Sequence, residues 1–189
     1  MRIGIDIDDV LTDTSPKVKE YLYKYEKSGD GIKYISEVMR GEMPTENIKR
    51  FFDQYVEEIY QKISIKSDAA EVLQRLSQSG HEIIFITARG EQRFKGSEKT
   101  TINFFKEFNI QYKEIIFNSF EKQVDCKKNN IDIMIDDSVK NCELVDREGI
   151  KSILYTSDVN KDDKTNVERV ENWVELENII NNYEKTNRV

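Results

Sequence analysis

Histidine, cysteine and proline are scarce in this sequence of 189 residues, which contains one His, two Cys and two Pro. Mechanisms that need a histidine base or several histidine ligands have a single candidate, His81, which follows Gly80 at the start of a strand-like run and is expected to be structural. Cys126 and Cys142 fit neither a disulfide framework nor a CxxC metal site. Because both lie in amphipathic helical stretches, we expect buried, reduced thiols in a cytoplasmic protein.

Long apolar runs and an excess of basic residues are also missing. No apolar stretch approaches the roughly 18 residues of a membrane helix, and the first residues lack the pattern of a signal peptide. The net charge is −7 and the pI is about 5.0, which disfavours a nucleic-acid polymer as partner, while the lack of a long apolar run disfavours a membrane. An anionic small molecule stays open as a ligand, because a bound cation reverses the local sign of charge.

Short apolar runs alternate with helical patterns along most of the chain. The strand-like runs are residues 2–7, 82–87, 113–117, 132–136 and 151–155, and such compact runs are typical of strands buried on both faces. The helical patterns cover 68–79, 98–108, 120–129, 138–148 and 171–184. Ile102, Phe105 and Phe108 share one predicted apolar stripe, and 156–168 is expected to be a polar loop. The alternation predicts an α/β fold with a Rossmann-like parallel sheet.

Residues 15–65 interrupt this rhythm, because they contain helical patterns but no convincing strand. Helices are expected at 15–27, at about 32–40 and at 46–62. The segment is too long for a simple crossover between strands. It therefore predicts a small helical cap over 15–65, inserted into a core made of residues 1–14 and 66–189.

Chemistry-bearing side chains follow several of the predicted strands. In an open parallel sheet, ligands bind outside the carboxyl ends of the strands, so residues at those ends are expected to converge. The first strand ends in Asp6, Asp8 and Asp9, the second in Thr87-Ala88-Arg89, and the fourth in Asp136-Asp137, while Lys122 opens the helix before the fourth strand. An isolated DxD pattern is weak evidence, but the ordered set is much stronger.

Two carboxylates on adjacent strands, Asp6 and Asp136, would repel each other without a cation. Oxygen ligands alone favour Mg²⁺ and disfavour zinc. A metal held by carboxylates commonly serves a phosphate substrate, and an aspartate can then attack phosphorus. Asp8 is placed to transfer protons, while Thr87, the N–H of Ala88 and the charge of Lys122 are placed to bind phosphoryl oxygens.

These motifs resemble those of the haloacid dehalogenase (HAD) superfamily of phosphotransferases. The run Asp6–Thr12 (DIDDVLT) is similar to the first motif, and Thr87 and Lys122 are similar to the second and third. Asp136-Asp137 resembles the fourth-motif acidic pair. The resemblance covers about 1–14 and 66–155, and the predicted cap matches only by its position and helical character.

The resemblance implies a role for each acidic residue. Asp6 would be the nucleophile and Asp8 the general acid and base. Mg²⁺ would be bound by Asp6, by the backbone carbonyl of Asp8 and by Asp136, with Asp137 supporting the metal shell. An aspartate at the position of Asp8 is typical of phosphatases rather than of dehalogenases, and the cap would close over the site and screen substrates.

Within the superfamily, the sequence looks most similar to the 5′(3′)-deoxyribonucleotidase-type group and its bacterial relatives. The opening GIDIDDVLTDT, the fourth motif IDIMIDDS and the small helical cap carry this likeness. Asp9 is a departure, because many relatives have glycine there. It adds negative charge beside the site and is expected to reshape the turn.

Aromatic residues are frequent in the predicted cap. We expect most of them to form its small core, although a nucleobase could stack on one or two; they are Tyr21, Tyr23, Tyr25, Tyr34, Phe51, Phe52, Tyr55 and Tyr60. Arg89 has two open interpretations: it binds a second anionic feature of the substrate, or it pairs with a surface carboxylate.

The sequence thus predicts a Mg²⁺-dependent phosphomonoester hydrolase, with a nucleoside monophosphate as the first candidate substrate. A phosphatase for sugar phosphates or other small metabolites shares every core residue and differs only in the cap. A catalytically idle HAD-like binding module is the alternative from another class, and a phosphomutase is less favoured. The sequence leaves a homodimer open.

Overall fold

Six parallel strands form the sheet of the computed structural model, which describes residues 1–27 and 45–187. The strand order is β3-β2-β1-β4-β5-β6. The strands are β1 (Arg2–Ile5), β2 (Glu82–Ile86), β3 (Glu114–Ile116), β4 (Ile133–Asp136), β5 (Lys151–Tyr155) and β6 (Glu168–Val170). This arrangement confirms the predicted α/β, Rossmann-like parallel sheet.

The helices of the described residues connect these strands. They are α1 (Thr14–Lys27), α2 (Thr45–Lys62), α3 (Ala69–Gln78), α4 (Ser97–Glu107), α5 (Lys122–Lys128), α6 (Val139–Arg147) and α7 (Trp173–Asn187). The helix expected at about 32–40 lies outside the described residues. No helix within the described ranges is long and apolar enough to span a membrane.

Strand β6 was not predicted, because 156–168 was expected to be a polar loop and the strand begins at its last residue. It pairs with β5 through three residues, from Ile153↔Glu168 to Tyr155↔Val170. Val170 is buried, but Glu168 is exposed. A strand of this length at the edge of a sheet carries too few apolar residues to stand out from a loop.

The core lies on both faces of the sheet, as expected for strands joined by helical crossovers. In the central register, Ile5 lies opposite Phe85 on one side and Ile135 on the other, and all three are fully buried. Helix α7 covers one face with Trp173, Leu176 and Ile180, which are likewise fully buried.

One predicted helical stripe needs correction. In α4 the most deeply buried aromatic side chains are Phe104 and Phe105, whereas Ile102 and Phe108 are only half-buried. Phe104 contacts Phe108 with ring centroids 4.6 Å apart, so the buried face is rotated by one residue from the predicted stripe.

The two cysteines and the single histidine are buried. Cys126 and Cys142 are buried free thiols, and burial raises the pKa of Cys126 to about 12. His81 is buried just before β2, with its Nε2 atom 3.9 Å from a carboxylate oxygen of Glu184 on α7.

Helices α1 and α2 pack against each other through aromatic side chains. Tyr21, Tyr25 and Phe51 are almost fully buried, and Tyr25 contacts Phe51 edge-to-face at 5.6 Å between centroids. These rings form the small core that was expected for this segment. Tyr23 is 48% exposed, and Tyr34 lies outside the described residues.

Candidate active site

The carboxyl ends of β1 and β4 bring two aspartates together. Asp6 follows β1, and its backbone N–H donates to the carbonyl of Ile135 at 2.9 Å. Asp136 is the last residue of β4, and Asp137 follows it. One carboxylate oxygen from each of Asp6, Asp136 and Asp137 lies within 4.8 Å of the others. This is the convergence that the motif order predicted.

Lys122, the first residue of α5, places its ammonium between two of these carboxylates. Its Nζ atom lies 2.8 Å from Oδ1 of Asp6 and 2.6 Å from Oδ2 of Asp136, and the side chain is buried. Burial alone lowers the pKa of Lys122, but Asp136 and Asp6 outweigh it and raise the pKa above its usual value. The lysine is therefore a permanent cation within this group.

Asp6 lies in an environment that disfavours its negative charge. Burial raises its pKa to about 7; the ammonium of Lys122 opposes this shift, and the charges of Asp136 and Asp8 add to it. Its Oδ1 atom is buried and accepts no hydrogen bond of ordinary geometry, although Lys122 lies close. One lysine thus leaves the acidic cluster incompletely neutralised.

The neighbouring backbone and side chains hold the acidic pair in place. Oδ1 of Asp136 accepts hydrogen bonds from the N–H of Ser138 at 2.8 Å and from the amide of Asn141 at 3.2 Å. The amide of Asn160 donates to the carbonyl of Asp137 at 2.6 Å. Burial, followed by the charges of Asp136 and Asp6, raises the pKa of Asp137 well above its usual value.

Asp8 is held by Arg89 and Thr14. Its Oδ1 atom accepts from Nη2 of Arg89 at 2.6 Å and from the hydroxyl of Thr14 at 2.7 Å. Burial raises the pKa of Asp8, but the charge and hydrogen bonds of Arg89 and the hydroxyl of Thr14 outweigh it, so the pKa lies below its usual value.

This pairing corrects one of the two open interpretations of Arg89. Its partner is a carboxylate of the site rather than one on the surface, and only 1% of the arginine is exposed. The guanidinium also lies 4.0 Å from the ring centroid of Tyr60 on α2.

Asp9 adopts the left-handed backbone conformation, with φ of 57°. Glycine is favoured in that region, which explains the glycine that the resemblance led us to expect here. The side chain of Asp9 accepts hydrogen bonds from the N–H of Ser15 at 2.8 Å and from its hydroxyl. The departure from glycine thus ties the turn to the start of α1.

The loops after β2 and β3 hydrogen-bond to each other around Thr87. Thr87 is fully buried, and its hydroxyl oxygen accepts from the N–H of Arg89 at 3.1 Å. The N–H of Asn118 donates to the carbonyl of Arg89 at 2.7 Å, and that of Ser119 to the carbonyl of Thr87 at 2.9 Å. Ala88, between them, is half-buried.

A cavity of about 340 Å³ lies between the acidic residues and α2. Its lining includes the acidic residues Asp8, Asp9 and Asp137 and the aromatic residues Phe52, Tyr60 and Phe94, whereas Asp6 and Thr87 are not among the lining residues. The rings of Phe52 and Phe94 are stacked, with centroids 4.4 Å apart. The cavity therefore combines carboxylates with aromatic surface.

Several residues that shape the site were missed from the sequence. Thr14, Asn141 and Asn160 are common helix and loop residues, and only their contacts in the fold mark them. Ser138 was the most readable of the missed residues, because a serine just before a helical pattern is a typical N-cap, and its side chain does accept from the N–H of Asn141.

The fold is shared with several solved structures. A predicted phosphatase from Clostridium acetobutylicum matches with a TM-score of 0.74 at 15% identity, over 96% of this chain and 98% of that one. A haloacid dehalogenase-like hydrolase from Streptococcus pneumoniae matches with a TM-score of 0.68 at 13% identity, over 95% and 97%. The fold is therefore that of HAD-like hydrolases, which confirms the predicted fold class.

Over residues 1–186 the sequence matches the family described as 5′ nucleotidase, deoxy (pyrimidine), cytosolic type C, and the chain belongs to that family. None of the curated proteins matches it. The chain is accordingly an enzyme, a hydrolase of phosphate monoesters, and the prediction of a deoxyribonucleotidase-type relative is confirmed.

Proposed function

We propose that the enzyme is a Mg²⁺-dependent phosphatase that forms an aspartyl-phosphate on Asp6. The observation that carries this proposal is the convergence of three carboxylate oxygens within 4.8 Å, at the carboxyl end of the sheet. The Oδ1 atom of Asp6 is buried and accepts no hydrogen bond of ordinary geometry. The pKa of the Asp6 carboxyl group is raised to about 7. A group of this kind needs a cation beyond Lys122.

The donor set fits Mg²⁺, because it offers hard oxygen ligands and no sulfur or nitrogen ligand. Asp6, the backbone carbonyl of Asp8, Asp136 and Asp137 would hold the ion. When bound, Mg²⁺ neutralises phosphate charge and lets a carboxylate approach an anionic substrate.

The residues of the chain then divide the reaction between them. A carboxylate oxygen of Asp6 forms a bond to phosphorus while the bond from phosphorus to the leaving oxygen breaks. Asp8 gives its proton to that oxygen and later takes one from the attacking water. Lys122 orients Asp6, and Thr87 and the N–H of Ala88 bind phosphoryl oxygens.

Replacement of Asp6 tests the assignment of the nucleophile. We expect Asp6→Asn to lower kcat for p-nitrophenyl phosphate by at least about 10³-fold while the far-ultraviolet circular dichroism stays unchanged. Asp53→Asn, an exposed aspartate of α2, is the matched control and keeps full activity. Full activity in Asp6→Asn refutes the nucleophile, and a wild-type protein without Mg²⁺-dependent phosphatase activity favours the idle binding module.

A nucleoside monophosphate is the substrate class that we propose. The family description names a deoxy 5′ nucleotidase, and Phe52 and Phe94 offer a stacked aromatic surface in the cavity that Asp8, Asp9 and Asp137 also line. Base stacking on aromatic side chains contributes about 1–3 kcal/mol, so Phe52→Ala is expected to raise KM for a deoxynucleoside monophosphate about tenfold.

A substrate panel separates this class from the rival one. Higher kcat/KM for deoxynucleoside monophosphates than for sugar phosphates supports the nucleotidase, and the reverse order supports a phosphatase for sugar phosphates or other metabolites. In the nucleotidase, Phe52→Ala leaves KM for glycerol phosphate, which has no ring to stack, unchanged.

We also propose that residues 15–65 act as a cap on a core of residues 1–14 and 66–189. The contact of Phe52 on α2 with Phe94 of the core supports this division, because the cavity lies between these two parts. The two free thiols suit work in the reducing cytoplasm.

A further inference from the structure

Arg89 donates its shortest hydrogen bond to one of the two carboxylate oxygens of Asp8. Oδ1 of Asp8 accepts from Nη2 of Arg89 at 2.6 Å, from Nε at 3.1 Å and from the hydroxyl of Thr14 at 2.7 Å. Oδ2 accepts only from Nε, at 3.1 Å. The carboxylate is therefore asymmetric, and Oδ2 keeps most of its capacity for a proton or a further partner.

The guanidinium of Arg89 is itself fixed on several sides. Its Nη1 atom donates to the hydroxyl of Thr101 at 3.3 Å, its Nη2 atom lies 3.4 Å from the hydroxyl of Thr14, and the ring of Tyr60 covers it at 4.0 Å. A charge with 1% exposure is costly unless it stays paired. Arg89 would have to abandon Asp8 to reach a substrate, so its geometry does not suit substrate binding.

We propose that Arg89 is a positioning residue, which holds Asp8 through Oδ1 and so orients Oδ2 for proton transfer to the leaving group. Because Arg89 also favours the charged form of Asp8, this orientation has to outweigh the cost of protonating Asp8, and the substrate comparison below decides between the two effects. The inference rests on the proposed phosphatase reaction and refines it. As Asp6 bonds to phosphorus, the electron pair of the breaking P–O bond goes to the leaving oxygen, which takes the proton from Oδ2. Water then attacks phosphorus, its proton returns to Oδ2, and the bond from phosphorus to Asp6 breaks.

Two substrates of similar shape isolate the proton-transfer step. Phenyl phosphate releases a phenol of pKa about 10, like that of tyrosine, and so depends on a general acid. The nitro group of p-nitrophenyl phosphate stabilises the departing phenolate, so that substrate depends on the acid far less. We compare kcat/KM because it depends on substrate binding and on the steps up to departure of the phenol, and not on the later hydrolysis of the intermediate.

We expect Arg89→Met to lower kcat/KM for phenyl phosphate about 10²-fold or more, within the range of general acid catalysis, and to lower it at most about tenfold for p-nitrophenyl phosphate. Arg89→Lys keeps the positive charge beside Asp8 but loses the planar guanidinium that binds both oxygens of the carboxylate. Its kcat/KM should also fall more for phenyl phosphate than for p-nitrophenyl phosphate, in a protein whose buried charges stay paired.

Two further variants calibrate the measurement. Asp8→Asn removes the acid itself and should give the same unequal loss. Arg75→Met removes an arginine that holds Glu177 through two hydrogen bonds of 2.8 and 2.7 Å on the surface, and both substrates should react as in the wild type.

Equal losses for the two substrates in both Arg89 variants, with circular dichroism and melting temperature showing a folded protein, would overturn the inference and leave Arg89 a structural residue. A wild-type enzyme that hydrolyses neither phosphate ester would instead overturn the proposed function, and the inference with it. The two failures are therefore distinguishable.

Discussion

Lys122 shows what a single buried charge does among carboxylates. It has almost no access to water and lies within 2.8 Å of both Asp6 and Asp136. Removing one partner of a buried ion group leaves uncompensated charge, which costs about 3–5 kcal/mol. The lysine is therefore expected to stabilise the fold as well as the site.

Lys122→Met tests this expectation. The free energy of unfolding in urea should fall by about 3–5 kcal/mol and kcat by at least about 10²-fold, and added Mg²⁺ should restore part of the stability but little of the activity. Lys127→Met removes an exposed lysine of the same helix that pairs with Glu148, and its stability should change by less than about 0.5 kcal/mol. Equal effects of the two substitutions contradict the account.

At the residue scale, the sequence predicted those side chains that follow apolar strands. Asp6, Thr87 and Asp136 could be found because parallel strands end at one edge of a sheet. The partner of Arg89 could not, because Asp8 lies 81 positions away and no local pattern records a contact between two loops. The conformation of Asp9 was visible only through the glycine expected at its position.

At the element scale, helix α7 supports the loop that follows β1. The indole Nε1 of Trp173 donates to the carbonyl of Val10 at 3.0 Å, and the ring is fully buried. This bond ties the last helix to the loop that carries Asp8 and Asp9. A change in the helix should therefore reach the site.

Trp173→Phe keeps an aromatic ring but loses this hydrogen bond. Leaving a buried acceptor unpaired costs about 1–3 kcal/mol. We therefore expect the free energy of unfolding in urea to fall by this amount and kcat to fall several-fold. Val174→Ala lies on the same helix at a position 48% exposed, and it should shift stability by less than about 0.5 kcal/mol. Unchanged stability in Trp173→Phe would show that α7 does not support the loop.

Periodicity predicted the long elements of the core and missed the short one. Helices α3 to α7 carry enough apolar residues to reveal their extent within a few positions, whereas β6 has three residues. The rotation of the buried face of α4 toward Phe104 reflects its neighbours in the fold, because a helix with several aromatic residues offers more than one apolar stripe.

At the scale of the whole molecule, the acidic cluster links stability to pH and to metal. Asp6 has a pKa of about 7 in the folded protein against 3.8 for an unperturbed aspartate, so the folded state binds more protons between these values. Stability should therefore fall as pH rises from about 4 to about 7. Asp137, raised in pKa, acts in the same direction, whereas Asp8, lowered in pKa, acts in the opposite one.

Removal and return of Mg²⁺ test this linkage. In the presence of a chelator, the melting temperature should be lower at about pH 7.5 than at about pH 5, and Asp6→Asn should flatten this dependence. Mg²⁺ at a hundredfold excess over Kd should add about 2.7 kcal/mol, with the larger rise in melting temperature at the higher pH. Asp53→Asn should behave as the wild type. A metal effect that is equal at both pH values would contradict a cation bound by these carboxylates.

The most direct measurement is to identify the residue that carries the phosphoryl group. Asp8→Asn slows hydrolysis of the intermediate, so this variant, mixed with p-nitrophenyl phosphate and Mg²⁺ and quenched in acid, should accumulate it. Peptide mass spectrometry should then find a hydroxylamine-labile phosphoryl group on Asp6, and none in the double variant with Asp6→Asn. Phosphate released without any such adduct, or an adduct on another residue, would contradict a phosphatase that works through Asp6.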